Sequence, residues 1–226
     1  MKKKITMVVF DMAGTTVNED NLVYKLLHQT IVDDGYECSV DLVLSIGAGK
    51  EKKAAITDVL IELGVFAPDL IAERLYHTFK QQLETAYISA AVVPMDGAES
   101  VFAQLKSKGI KVVLNTGYDS KTAHFLLQKL NWIIGEQIDA VITASDVLVG
   151  RPAPDMIYLA MQQMQIPDAN LVLKIGDSIV DIEEGKNAQC GLTIGITTGA
   201  QDAYMLQLAN PDGIINHLNE LLLLIE

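Results

Sequence analysis

Residues 5–10 form an unbroken apolar, mostly β-branched or aromatic run that stops at an aspartate, Asp11. A run without polar alternation suits a strand buried on both faces, as in a parallel sheet covered by helices. Comparable runs recur at 110–114, 140–143, 171–175 and 192–196. Helical patterns separate them at 97–108, 121–130, 154–164 and 181–188, and a last helix is expected over 214–224. Strand alternating with helix predicts an α/β fold with a Rossmann-like parallel sheet.

The first strand breaks this rhythm. From Asp11 to Thr116, at the end of the second long strand, the chain runs 105 residues. A crossover between parallel strands needs only about a dozen. Helical patterns fill the interval at 21–33, 40–45, 51–63 and 68–87. The expectation is a core domain over 1–18 and 91–226, with an inserted α-helical cap domain over 19–90. Such an insert would lie above the carboxyl ends of the strands, where α/β sheets bind ligands, and could act as a lid.

Composition narrows the partners. Half of the 226 residues are hydrophobic and a fifth charged, as in a well-cored globular chain. The net charge of −12 argues against nucleic acid or an anionic membrane as partner. An anionic substrate would therefore need local positive charge from a metal, Arg or Lys. No apolar run reaches the roughly 20 residues that span a bilayer, and the basic start, Met1 to Lys4, lacks the long apolar stretch of a secretory signal. Cys38 and Cys190 have no second Cys or His at zinc-site spacing. A cytoplasmic chain is expected.

Four polar clusters fall at the carboxyl ends of expected strands. They are Asp11-Met12-Ala13-Gly14-Thr15-Thr16, Asn115-Thr116-Gly117-Tyr118, Gly150-Arg151-Pro152, and Gly176-Asp177-Ser178 with Asp181. Each alone would suit a helix cap or a strand end. Four in order point to one composite site.

These motifs resemble those of the haloacid dehalogenase superfamily along the whole chain, and the inserted helices resemble its cap. The resemblance implies that Asp11 is a nucleophile forming an aspartyl phosphate. It implies Mg²⁺ held by Asp11, the Ala13 carbonyl and Asp177, with Asp181 acting through water. Thr116 would donate to the phosphoryl oxygens, and Arg151 would supply a fixed positive charge. Gly14 and Gly117 would let the backbone approach the phosphoryl group.

In most phosphatases of the superfamily the residue two after the nucleophile is an aspartate that serves the leaving alcohol as acid. Here it is Ala13, which cannot move a proton. The phosphonatase (phosphonoacetaldehyde hydrolase) family resembles this chain in having alanine there. In that family a cap lysine in a Gly-x-x-Lys segment condenses with the substrate aldehyde, and the iminium accepts the electrons of the breaking carbon–phosphorus bond. Gly47 and Lys50 match that spacing, and the Thr-Gly-Tyr ending in Tyr118 is also similar. A helix starting at Glu51, with Lys53 on the same face, would help to keep Lys50 neutral. Two departures stand out: Lys53 replaces the family's cap histidine, and the family's cysteine is missing from the segment after Val17.

The resulting expectation is C–P cleavage of phosphonoacetaldehyde or a related phosphonate. The alternatives are a Mg²⁺-dependent phosphatase for a small phosphate monoester and a non-catalytic binding protein. The general acid is left unassigned, and His28, His77, His124 and His217 are expected to be structural. A homodimer through the cap is implied by the same resemblance.

Overall fold

The structure is a computed structural model that describes residues 3–226. The chain runs β1 (Met7–Asp11), β2 (Val17–Asn18), α1 (Leu22–Asp33), α2 (Val40–Gly47), α3 (Lys52–Glu62), α4 (Pro68–Ser89), β3 (Val93–Pro94) and α5 (Ala98–Ser107). It continues β4 (Lys111–Thr116), α6 (Ser120–Leu130), β5 (Ala140–Thr143), α7 (Asp155–Met164), β6 (Val172–Gly176), α8 (Ile179–Asn187), β7 (Leu192–Ile196), α9 (Ala203–Leu208) and β8 (Gly213–Ile215).

Six strands form one parallel sheet in the order β5-β4-β1-β6-β7-β8. Strand β1 is central, so its carboxyl end opens between those of β4 and β6. The register sets Asp11 beside Asn115 and Phe10 beside Ile175. The chain leaves β1 toward opposite edges of the sheet, and the crevice at such a switch point is where α/β sheets bind ligands.

All five β1 residues are buried. Val8 and Phe10 pack on the side that includes α5, and Met7 and Val9 on the side of α7. Phe102 of α5 stands edge-on to Phe10 at 5.3 Å and to Trp132 at 5.2 Å. Such pairs add attraction beyond the area they bury.

Helices α1–α4 form the inserted cap. Both crossings between core and cap pass through a short antiparallel ribbon, in which Val17 pairs with Pro94 and Asn18 with Val93. Among the described residues, no helix is long and apolar enough to cross a membrane.

The chain end departs from expectation. The pair Ile214-Ile215 adds β8 to the open edge of β7, and only Leu218–Leu223 turns, as a 3-10 helix. An edge with free N–H and C=O groups outweighs the helical pattern in this short segment.

Phe102→Ala should destabilise the protein by about 3–5 kcal/mol in urea denaturation, the usual cost of emptying a buried aromatic site.

Candidate active site

Asp11 ends β1 and is 5 % exposed. Arg151, reaching in from the loop after β5, brings Nη1 to 2.6 Å from Asp11 Oδ1. The same guanidinium donates Nε to Glu184 Oε2 at 3.0 Å and Nη2 to the Asn115 carbonyl at 2.8 Å. Lys174, in the middle of β6, donates to Asn115 Oδ1 at 2.8 Å and lies 2.7 Å from Asp181 Oδ1. Two buried cations thus hold the ends of β1, β4 and β6 and the start of α8 together.

Burial pushes the Asp11 carboxyl above the usual range, aided by Asp181 and opposed by Arg151 and Lys174. At Asp181 burial acts the same way, but Arg151 and Lys174 outweigh it and hold the group below its ordinary value. Asp177 stands well above its ordinary value because of burial and the neighbouring Asp11 and Asp181 charges.

Asp11, Asp177 and Asp181 each offer an oxygen, and these lie within 4.8 Å of one another. Four buried carboxylates, Asp11, Asp177, Asp181 and Glu184, face two buried cations, Arg151 and Lys174. When all are ionised the cluster carries an excess of two negative charges, which is costly in a buried site. Asp181 Oδ1 lies 3.0 Å from Arg151 Nη1 and 2.7 Å from Lys174, yet neither approach is aligned as a hydrogen bond. An all-oxygen donor set with that imbalance fits a hard divalent cation.

The other expected site residues separate into two groups. Thr116 is buried at the end of β4, and its Oγ1 accepts the Tyr118 amide at 3.1 Å. Ala13 is half-buried in the turn after β1, and the Gly14 amide donates to the Val17 carbonyl. Gly14 has φ +82°, and a Cβ there would press on the Asp177 carboxylate. Gly117 lies against the cap loop, where a Cβ would sit 2.5 Å from the Lys50 carbonyl oxygen. Gly47, by contrast, faces Ala55 of α3 at the end of α2, so its small size serves helix packing.

Lys50 turns toward α3. Its ammonium pairs with Asp58 of α3 at 2.5 Å. Lys53 turns to Glu73 of α4. The cap ammonium that lies inside is Lys52, the first residue of α3 and 6 % exposed. Its Nζ lies 4.9 Å from the Tyr24 ring centroid and 5.3 Å from that of Tyr118. It donates to the Lys50 carbonyl at 2.8 Å, and among the described residues no carboxylate is within ion-pair distance. Burial pulls Lys52 down to about 8, against the upward pull of Asp11. The phase of α3 explains the exchange: Glu51 caps the helix by accepting the Lys53 and Ala54 amides, so the helix begins at Lys52.

Lys52, Lys174, Glu184 and Glu19 were not among the expected site residues. Lys174 carried a signal, a charged residue within the apolar strand run 171–175. Lys52 lay inside a charged stretch that reads as a solvated helix start. The four histidines lie away from Asp11: His28 contacts the Cys38 carbonyl, His77 Glu73, His124 Ser120, and His217 caps the final 3-10 turn.

A parallel sheet with a buried aspartate at the end of its central strand, further acidic residues beyond the adjoining strand and helices inserted after the first strand defines a class of hydrolases. The chain belongs to the haloacid dehalogenase-like hydrolase family, whose model matches residues 5–189. A phosphonoacetaldehyde hydrolase from Parabacteroides distasonis is 35% identical over 130 residues, covering 58% of this chain but only 48% of that protein. A phosphonoacetaldehyde hydrolase from Bacillus cereus is 26% identical over 209 residues, covering 88% of this chain and 78% of that protein. A solved hydrolase structure from Pseudomonas syringae shares the fold, with TM-score 0.86 at 22% identity over 98% of this chain and 100% of its own.

Lys174→Met should cost about 3–5 kcal/mol of stability in urea denaturation, because it leaves Asp181 and Glu184 with one buried cation fewer.

Proposed function

We propose that the protein is a Mg²⁺-dependent hydrolase that cleaves the carbon–phosphorus bond of phosphonoacetaldehyde or a closely related phosphonate aldehyde. The observation that carries this reading is Lys52. A buried amine with a lowered pKa, at the face of the cap over Asp11, is poised for condensation with a carbonyl. In this reading the Schiff base forms on Lys52 and not on Lys50, the lysine that the Gly-x-x-Lys spacing points to. Ala13 supports the same reading, since a carbon leaving group has no oxygen for an acid at that position to protonate. The names of the relatives point the same way.

The neutral Lys52 amine adds to the aldehyde carbon, and uptake of one proton from solvent with loss of water leaves a protonated imine. Asp11 then attacks phosphorus in line while the P–C bond breaks, and its electron pair enters the iminium to give an enamine. Protonation at carbon and hydrolysis release the aldehyde and free Lys52. A second water hydrolyses the aspartyl phosphate. Arg151 fixes Asp11 and opposes the phosphoryl charge. Asp11, Asp177 and the Ala13 carbonyl would hold Mg²⁺, with Asp181 acting through water, and the ion would supply further neutralisation of phosphoryl charge. The Thr116 hydroxyl and the backbone around Gly117 would bind phosphoryl oxygens.

Borohydride added to protein, Mg²⁺ and phosphonoacetaldehyde should leave a reduced adduct on Lys52, located by peptide mass spectrometry. An adduct on Lys50 would reject the assignment to Lys52. Absence of any adduct, with turnover of phosphate esters instead, would reject C–P cleavage. Asp11→Asn should abolish phosphate release. On the acidic side kcat/KM should rise with pH, because attack requires the neutral amine of a lysine that titrates at about 8.

A further inference from the structure

Five carboxylates are buried among the described residues: Asp11, Asp177, Asp181, Glu184 and Glu19. The first four form the cluster around Arg151 and Lys174. Glu19 lies outside it, between β2 and α1, where the chain crosses from core to cap, and is 3 % exposed. Its Oε2 accepts the Val23 amide at 3.1 Å and the Tyr87 hydroxyl at 3.1 Å. The Tyr87 hydroxyl is 3.0 Å from that of Tyr118. Tyr118 follows Thr116 and Gly117, and its ring is one of the two faces beneath the Lys52 ammonium. A hydrogen-bonded chain therefore runs from Glu19 through the Tyr87 and Tyr118 hydroxyls, and the ring that bears the last of them lies beside Lys52.

We infer that Glu19 is the proton reservoir of this site, exchanging protons with the Lys52-bound intermediate through Tyr87 and Tyr118. The inference rests on the carbon–phosphorus reading, in which the enamine must gain a proton at carbon and Ala13 cannot deliver it. The step balances: the enamine carbon takes a proton from the Tyr118 hydroxyl, Tyr118 is resupplied from Tyr87, Tyr87 from the Glu19 carboxyl, and the product is an iminium beside a Glu19 carboxylate. The proton that Lys52 sheds before attack returns Glu19 to its acid form.

The surroundings suit the task. The titratable groups around Glu19 are Tyr87 from α4, Tyr118 from the loop after β4, Tyr24 from α1 and Lys52 from α3. Burial pushes the Glu19 carboxyl up to about 7, against the Val23 amide, the Tyr87 hydroxyl and the Lys52 charge. Glu19 also caps α1 through Val23. Capping alone calls for neither burial nor a tyrosine chain, since exposed acidic residues cap helices well.

Glu19→Gln separates relay from cap, because an amide oxygen can still accept from Val23 and Tyr87. With phosphonoacetaldehyde and Mg²⁺, the variant should lose about 100-fold in kcat, within the usual range for general acid–base groups. Its melting temperature and its borohydride-trapped adduct on Lys52 should match wild type. Wild type requires neutral Lys52, titrating at about 8, and protonated Glu19, titrating at about 7. That combination gives a kcat/KM plateau between these values, with a decline on the alkaline side that Glu19→Gln should lack. Tyr87→Phe should lower kcat in the same direction. A Glu19→Gln variant with unchanged kcat and pH profile overturns the inference, as does one that loses adduct in proportion to kcat. If wild type forms no adduct and releases no phosphate from phosphonoacetaldehyde, the C–P reading fails and takes this inference with it.

Discussion

Arg151 is the residue around which the site is built. One guanidinium contacts Asp11, Asp181, Glu184 and Asn115, which belong to β1, α8 and the end of β4. The contacts form a fork that a lysine could not reproduce. Burial opposes charge on the guanidinium, but the carboxylates around it more than compensate and keep it protonated. Lys174 shares the task from β6. The two cations do not neutralise the four acids, and the residual negative charge on an all-oxygen donor set is the kind that suits a hard divalent cation. Stability and chemistry are coupled here, because the charges that allow Asp11 to ionise when buried also hold the strand ends in register.

The cap completes the site through one loop. Gly49 has φ +72°, and a Cβ there would collide with Ser178 and Val180 of the core. Gly117 accommodates the Lys50 carbonyl from the other side. The loop can therefore lie between the loop after β4 and the start of α8 only because neither glycine has a side chain. Docking of that loop brings the first residue of α3 inward. Lys52 then loses water, gains two aromatic faces and sits at the positive end of a helix, each of which affects its proton affinity.

In the carbon–phosphorus reading proposed above, the missing acid at position 13 and the buried acid at position 19 form one arrangement. A phosphate ester releases an alkoxide next to the residue two after the nucleophile, so a carboxyl there is useful. Cleavage to an enamine needs its proton on the cap side, near the lysine. Glu19 is on that side, at the crossing between the two parts of the chain. Its burial depends on Tyr87, 68 positions away in sequence, and on Tyr118 beyond it.

The sequence alone determined the alternation of buried strands and helices, the helical insertion after the first strand, and the four polar clusters at strand ends. Those features arise from local periodicity and from the short reach of residues that follow a strand directly, so the gathering of Asp11, Arg151, Asp177 and Asp181 at one end of the sheet was legible. The parallel sheet was legible too, although the edge strand at Gly213–Ile215 was not, because pairing with β7 decides it. Tertiary structure decided which lysine is buried. Lys50, Lys52 and Lys53 lie in one charged stretch, and their fates differ because Asp58 and Glu73 stand beside the first and third while two tyrosine rings and the Lys50 carbonyl stand beside the second. It also decided that Glu19 is buried and Lys174 paired, since desolvation and ion pairing depend on groups far apart in the chain and brought together only by packing.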